Sequence, residues 1–336
     1  MKNIYLLLLI LLSLSTPSFA QQFVNDSVKL FIDKSMELIN KNSIHKENIA
    51  VIKEDLYRKS VKLSSVDQAA PLFSEVFKKL EDHHGNLKYK GKTYGWQKPM
   101  ERQNEYLKAR FIEGKKVHSE VINRNVAYLS IPGNNDFRSK KIDSIAADIV
   151  SHINAVNSKR IKGWIIDLRL NTGGNIYPIM LGLKDLIGDN IVFGGFRDAQ
   201  NQPTGTWEVK AGQMLIDGVV LNRKATLTHP LKKNIPLVVL TSCYTASAGE
   251  MTAIALIGRK NTTIVGEPTA DYTTAVQGFM INDHAGINLS TDYVVDRNQQ
   301  IYKGNVKPDV EILGGDQLED LKKDSKVLKA MALINQ

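Results

Sequence analysis

The sequence predicts an α/β fold: a largely parallel, buried sheet with a helical subdomain ahead of it. Three observations predict it. Apolar runs of strand length and rich in branched residues recur at "NVAYLSIP", "GWIIDLRL" and "PLVVL", as strands covered on both faces do. Helical periodicity follows each run, the alternation that parallel sheets require. The first part of the chain, by contrast, carries helical spacing alone.

In chain order, residues 1–20 read as a secretory signal peptide. Lys2 precedes an apolar run over 4–12, and Ser18 and Ala20 flank Phe19 ahead of "QQ". That pattern is too short and wrongly flanked for a membrane span, and the exported form should begin at Gln21 or Gln22. Asn25-Asp26-Ser27 can cap a helix with Val28, Ile32, Met36 and Ile39 on one face. Further helices are expected over 49–63 and 65–80, the last with Leu72, Phe73, Val76, Phe77 and Leu80 as its apolar stripe. "LEDHHGNLKYKGKTYGW" then reads as a loop and hairpin. Beyond it come the strand at "NVAYLSIP", a helix over 139–156, the strand "GWIIDLRL", the loop "NTGGN" and a helix over 177–187. Short strands near 191–193, 209 and 219–221 lead to "PLVVL" and a second helix from Ala248. The division is 1–20 signal peptide, 21–115 helical subdomain with hairpin, and 116–336 core.

Composition narrows the functional classes. The formal charge of +9 comes from lysines scattered among acids, with no basic block, which argues for a solvated surface and against a nucleic-acid partner. The single cysteine, Cys243, rules out an internal disulfide. Neither H-E-x-x-H nor a thiolate set is present, so no metal is expected.

Two loops share one predicted sheet edge, where open α/β sheets gather their ligands. In "VVLTSCYTASAGEMTAIAL", Ser247 sits between strand and helix. It can project a nucleophilic hydroxyl, or it can simply cap the helix with Glu250 completing an S-x-x-E box. Cys243 nearby is read as a packed thiol rather than a nucleophile. In "IIDLRLNTGGN", Gly173 and Gly174 can turn backbone N–H groups outward, as an oxyanion hole beside a nucleophile needs.

"IIDLRLNTGGN", "TASAGE", "IVGEPT" and "VKPDVEI", in this order over roughly 125–313, resemble the tail-specific, or carboxy-terminal processing, serine peptidases. Tricorn-protease cores and interphotoreceptor retinoid-binding protein modules share that core. The resemblance implies a ClpP/crotonase-like ββα core and Ser247 as nucleophile. The chain departs from the processing peptidases in two ways. Their base is a lysine twenty-five positions after the serine, but Tyr272 stands there, and residues 261–302 contain no lysine. Only about forty residues separate His84 from Ala127, too few for the family's PDZ domain. The tricorn-like branch takes its base from L-x-D-x-H-[TSG], which "LEDHHG" matches at Leu80, Asp82, His84 and Gly85. The resemblance therefore implies His84 as base, with His83 where that branch has a serine. The glutamate expected six residues before Pro308 is Tyr302, leaving Asp82, Asp292 and Asp296 as candidate orienting acids. His284, in an apparent hairpin turn, ranks below His84 as a base.

The expectation is an exported serine peptidase, periplasmic or extracellular, with peptide or protein substrates and no cofactor. Ser247 would attack and His84 would take the proton, titrating at roughly 6 to 7.5. Gly173 or Gly174 and Ala248 would hold the oxyanion. The alternatives are a non-catalytic module binding an apolar ligand or peptide on the same fold, and a crotonase-like acyl-transfer enzyme; export argues against the second.

Overall fold

A computed structural model describes residues 23–111 and 116–336. The expected signal peptide and mature start lie outside these residues. No helix among the described residues is long and apolar enough to cross a membrane.

The N-terminal segment forms helices α1 (Asp26–Asn42) and α2 (Ile49–Ser60). Asn25 caps α1 through its side chain, accepting from Ser27 N. The single helix expected over 65–80 is instead broken into α3 (Val66–Ala69), a 3₁₀ turn (Ala70–Leu72) and α4 (Phe73–Lys79). Pro71 is the cause, because it has no N–H to continue the helical ladder. A hairpin of β1 (Asn86–Tyr89) and β2 (Lys92–Gly95) follows, then the short α5 (Glu105–Lys108).

The core continues with β3 (His118–Ile122), β4 (Val126–Ser130), α6 (Ser139–Val156), β5 (Gly163–Asp167) and α7 (Ile176–Ile187). An antiparallel run, β6 (Ile191–Arg197), β7 (Pro203–Lys210), β8 (Gln213–Ile216) and β9 (Val219–Leu221), comes next. After it lie β10 (Leu237–Thr241), α8 (Ala248–Leu256), β11 (Thr262–Gly266), β12 (Thr274–Asn282), β13 (Ala285–Asp296), β14 (Ile301–Tyr302), β15 (Val310–Glu311) and α9 (Ser325–Ile334).

These strands make two sheets. The expected parallel sheet has the order β15-β11-β10-β5-β4-β3, with only β3 antiparallel to its neighbour. Alternate residues of its strands serve opposite layers, as the pleat dictates. Trp164, Ile166, Leu237, Val239 and Ile264 share a core with α6, α7 and α8. Ile165, Val238, Leu240 and Val265 pack with Val327, Ala330, Met331 and Ile334 of α9.

The second sheet is antiparallel throughout; the sequence predicts its hairpin and several of its short strands but not their pairing into one sheet. Its order is β2-β1-β13-β6-β7-β8-β9, with β12 and β14 also paired to β13. Phe193, Trp207, Val209, Met214 and Val294 from this sheet enter the core of α6–α8, so the helices lie between two sheets. The sheet also joins the N-terminal segment to the core. β1 registers Asn86 against Asn288, and Leu87, Ile287 and Leu289 share a core with Ile32, Phe73 and Phe77. That pairing carries the loop just before β1 onto β13.

Candidate active site

β5 and β10 are parallel neighbours, with Leu240 opposite Asp167, so their following loops leave the same sheet edge. Side chains stitch the loops together. Ser242 Oγ donates to Arg169 O at 2.7 Å, Thr245 Oγ1 to Leu168 O at 2.9 Å, and Ala246 N to Asn171 O at 3.0 Å. Asn171 is buried and also reaches Ile131 O through Nδ2 at 3.2 Å, fixing the turn before Gly173.

Ser247 caps α8 at φ 50°, ψ −112°, where N-cap residues are ordinarily extended. A non-glycine residue held there stores roughly 1–3 kcal/mol, and such strain gathers at functional sites. It is the geometry of a nucleophile elbow, without the G-x-S-x-G sequence. Glu250 makes its half of the S-x-x-E box, accepting from Ser247 N at 2.9 Å. The two sequence readings of Ser247 are therefore compatible.

The Gly-Gly loop lies against this turn. A methyl placed on Gly173 would stand 2.9 Å from Ser247 Cβ and 3.5 Å from its Oγ. The N–H of Gly173 is spent on Asn171 Oδ1 at 3.1 Å. Those of Gly174 and Ala248 have no protein acceptor among the described residues. Of the two glycines, Gly174 is the one left with a donor.

His84 stands between α4 and β1, in a loop that Asp82 folds by accepting from His84 N at 3.2 Å and Gly85 N at 2.7 Å. Its Nδ1 lies 2.9 Å from Thr274 Oγ1 at the start of β12. Thr274 meets Ser290 Oγ of β13 at 3.0 Å, and Ser290 donates to Asp82 Oδ1 at 2.7 Å. Among the described residues no carboxylate touches the ring; Asp82 reaches it through two hydroxyls. Asp292 is bonded to Thr204 and Thr291, and Asp296 folds its own turn by accepting from Asn298 N and Gln300 N. Asp82 is thus the candidate acid that the structure connects to His84. Burial, with a smaller contribution from His83, pushes the His84 imidazole down to about 4 against the pull of Asp82 and Thr274. That is below the 6 to 7.5 expected from sequence, because enclosure disfavours the charged ring.

Tyr272 lies between the histidine loop and the serine turn. Its ring meets His84 edge-on at 5.0 Å and His83 at 4.8 Å, and its backbone N donates to Glu250 Oε2 at 2.7 Å. His84 and Ser247 share no hydrogen bond among the described residues; Tyr272 and Glu250 connect their surroundings. Burial, Glu250 and Asp271 raise the Tyr272 phenol, so it is no base at neutral pH.

The sequence model of peptidase family S41 matches residues 125–312. The chain belongs to peptidase family S41. It is 30% identical to the nisin-resistance protein of Lactococcus lactis subsp. lactis over 56% of this chain and 57% of that protein. It is 25% identical to the carboxy-terminal processing protease CtpA of Bacillus subtilis strain 168, over 61% of this chain and 39% of that one. The chain thus spans little more than half the length of the first of these relatives and less of the second. The solved structure of a lipoprotein from Streptococcus agalactiae superposes with a TM-score of 0.67 at 20% identity, covering 99% of both chains. That likeness extends the shared fold beyond the 125–312 core.

Within this S41 fold the remaining candidates fall into place. Cys243 is buried beside Tyr244 and Leu107, and burial together with Glu267 pushes its thiol up to about 12. His83 Nε2 contacts the Asp271 carbonyl. His284 is exposed at the β12–β13 turn, where its carbonyl accepts from Lys90 N. Four residues that sequence did not assign to the site are Asn171, Thr274, Ser290 and Tyr272, the last considered only as an unlikely base. Only Asn171, inside the "NTGGN" motif, carried a sequence signal.

Gly174 gives the first test. Its φ is 109°, and an added Cβ would fall 1.9 Å from Asn134 O, inside the bridge that pairs Asn134 with Gly174. Gly174→Ala is expected to cost at least about 1–3 kcal/mol of stability from the backbone alone. On the oxyanion role expected from sequence, it should also slow acylation by roughly 10²–10³-fold as the Gly174 N–H turns away. Denaturant unfolding and probe labelling rates measure the two losses separately.

Proposed function

We propose that this chain is an exported serine peptidase that hydrolyses peptide bonds through an acyl-enzyme. Ser247 Oγ attacks the scissile carbonyl carbon while His84 Nε2 takes its proton. The Gly174 and Ala248 N–H groups hold the oxyanion of the tetrahedral intermediate. His84 then passes the proton to the leaving amine, and water repeats the cycle on the ester. The observation that carries this reading is the strained turn of Ser247 packed against the Gly-Gly loop, with the Gly174 and Ala248 N–H groups unspent among the described residues. One such donor is worth about 3–4 kcal/mol to the transition state.

At about 4 the His84 ring is neutral and free to accept a proton at neutral pH, although burial makes it a weaker base than an ordinary imidazole. The Asp82–Ser290–Thr274 chain orients it in place of a direct carboxylate. The likeness to a carboxy-terminal processing protease supports a peptide substrate, and Lys2 and the apolar run over 4–12 support export.

A serine-directed fluorophosphonate is expected to label the protein once, at Ser247, with Cys243→Ala labelled at the normal rate. Peptide mapping by mass spectrometry locates the adduct. An intact protein that takes no label at all would favour the ligand-binding module instead.

A further inference from the structure

Glu250 stands three residues after Ser247, and a capping box asks little of it. The structure gives it more to hold. Its side chain is fully buried. Oε2 accepts from Ser247 N at 2.9 Å and Tyr272 N at 2.7 Å, while Oε1 accepts from Asp271 N at 3.0 Å and from the Thr269 hydroxyl. These donors come from two segments, the serine turn and the 269–272 loop after β11. The ring of Tyr272 in turn stands edge-on to His84.

We propose that Glu250 is a positioning residue whose ionised carboxylate sets the arrangement of Ser247 relative to His84, so that acylation requires Glu250 to be deprotonated. The proposal rests on the Ser247–His84 reading above.

A carboxylate only accepts, and all four donors point at it. A proton on either oxygen turns an acceptor into a donor facing other donors. Asp271 N or one of the two N–H groups on Oε2 then loses its partner. If Ser247 N is the one released, a residue held at φ 50° loses part of what keeps it there. If Tyr272 N or Asp271 N is released, the loop behind His84 slackens. Burial raises the Glu250 pKa to about 7, with the four hydrogen bonds pulling the other way.

The titratable groups around it are Asp271 and Tyr272 on the loop, with His83 and His84 beyond the Tyr272 ring. Lys98 is turned to Asp271 at 2.6 Å. Helix α7 and strands β6 and β13, which border α8, bring no ion-pair partner to Glu250 among the described residues. The sign follows. His84, at about 4, is already neutral from pH 5.5 or so upward. A rise in activity through about pH 7 therefore reports the loss of the Glu250 proton.

The test is the rate of Ser247 phosphonylation by a fluorophosphonate in the mature protein, across about pH 5.5 to 8.5. In that step Oγ bonds to phosphorus, fluoride leaves and His84 takes the proton. The wild-type rate should rise about tenfold or more with its midpoint near 7. Glu250→Gln should be roughly 100-fold slower at high pH, the scale of a small misplacement, and flat through 7. Wild-type rates in Glu250→Gln would overturn the proposal, and so would a slow variant that keeps the wild-type midpoint.

Should Glu250→Gln fail to fold, Thr269→Val decides. It removes one hydrogen bond to the charged form, so the midpoint must move above that of the wild type; an unmoved midpoint overturns the proposal. Mapping the adduct separates the two layers. A wild-type adduct away from Ser247 sinks the underlying reading, whereas an adduct on Ser247 with rates indifferent to Glu250 sinks this proposal alone.

Discussion

His84→Ala is expected to slow acylation of Ser247 by roughly 10⁴–10⁶-fold, the scale on which removing one member of a catalytic set acts, while the fold persists. On the proposed assignment no second base stands ready. Tyr272 is the nearest titratable ring, but burial and two neighbouring carboxylates keep its phenol protonated. His83 has its Nε2 at the Asp271 carbonyl. The stability cost should be small, about 1 kcal/mol, because the ring makes one hydrogen bond, to Thr274, and an edge contact with Tyr272. Single-turnover labelling with thermal melts on the same samples checks both halves. Full activity in His84→Ala would reject the assignment. Thr274→Val should give a smaller loss, since it frees the ring to rotate without removing it.

Arg169→Leu is expected to be the most destabilising single change in the core motif, by about 3–5 kcal/mol. Arg169 is fully buried. It meets Asp167 with two nitrogens, through NH2 at 2.6 Å and Nε at 3.0 Å, and donates through NH1 to Asp316 at 2.7 Å and Asp324 at 2.6 Å. Lys326, also buried, binds Asp316 at 2.7 Å and Glu267 at 3.1 Å. The cluster anchors the segment leading into α9 beneath the loop that presents Gly173 and Gly174. Removing the guanidinium leaves the buried Asp167 and Asp324 without their cation, while Asp316 keeps Lys326.

The pH dependence of stability carries a sign. Burial raises Glu267, but Gly314 N–H, Lys326 and Cys243 N–H outweigh it and hold the carboxyl at about 2. Its ordinary value is 4.5, so its contribution is complete above that pH and is lost as pH falls toward 2. Asp167 is likewise lowered, Arg169 outweighing burial. Acid unfolding of the wild type should therefore set in below about pH 4.5. The deficit of Arg169→Leu should shrink over the same range, because protonation discharges the stranded acids. Denaturant titrations at neutral pH and at about pH 3.5 measure both effects. A deficit that stayed constant or grew with acid would contradict this account.

Local patterns exposed much of this protein. The strands at 126–130 and 237–241, and the helices at 139–156 and from Ala248, follow from periods of two and 3.6 that neighbours in sequence reveal. Asn25 as cap and Ser247 at a strand–helix junction are equally local. Several strands of the antiparallel sheet are legible, but their assembly is not, because pairs such as Asn86 with Asn288 lie some two hundred residues apart and the strands mix exposed polar with buried apolar positions. Pro71 lies inside the third expected helix, and the apolar stripe alone does not register the backbone N–H that Pro71 lacks.

For the site, sequence named Ser247, His84 and the Gly-Gly loop, since residue types and motif order suffice for that. It could not say that Gly173 spends its N–H on Asn171 while Gly174 keeps its own, because backbone direction is set by packing against Asn134. Nor could it show Thr274 and Ser290 relaying Asp82 to His84, since β1 and β12 meet only through β13. The sequence alone determined which groups can do chemistry and on which element ends they sit. Tertiary structure decided which of them meet, and it lowered His84 and raised Glu250 by burial. Enclosure is a property of the packed chain, and no local run of residues encodes it.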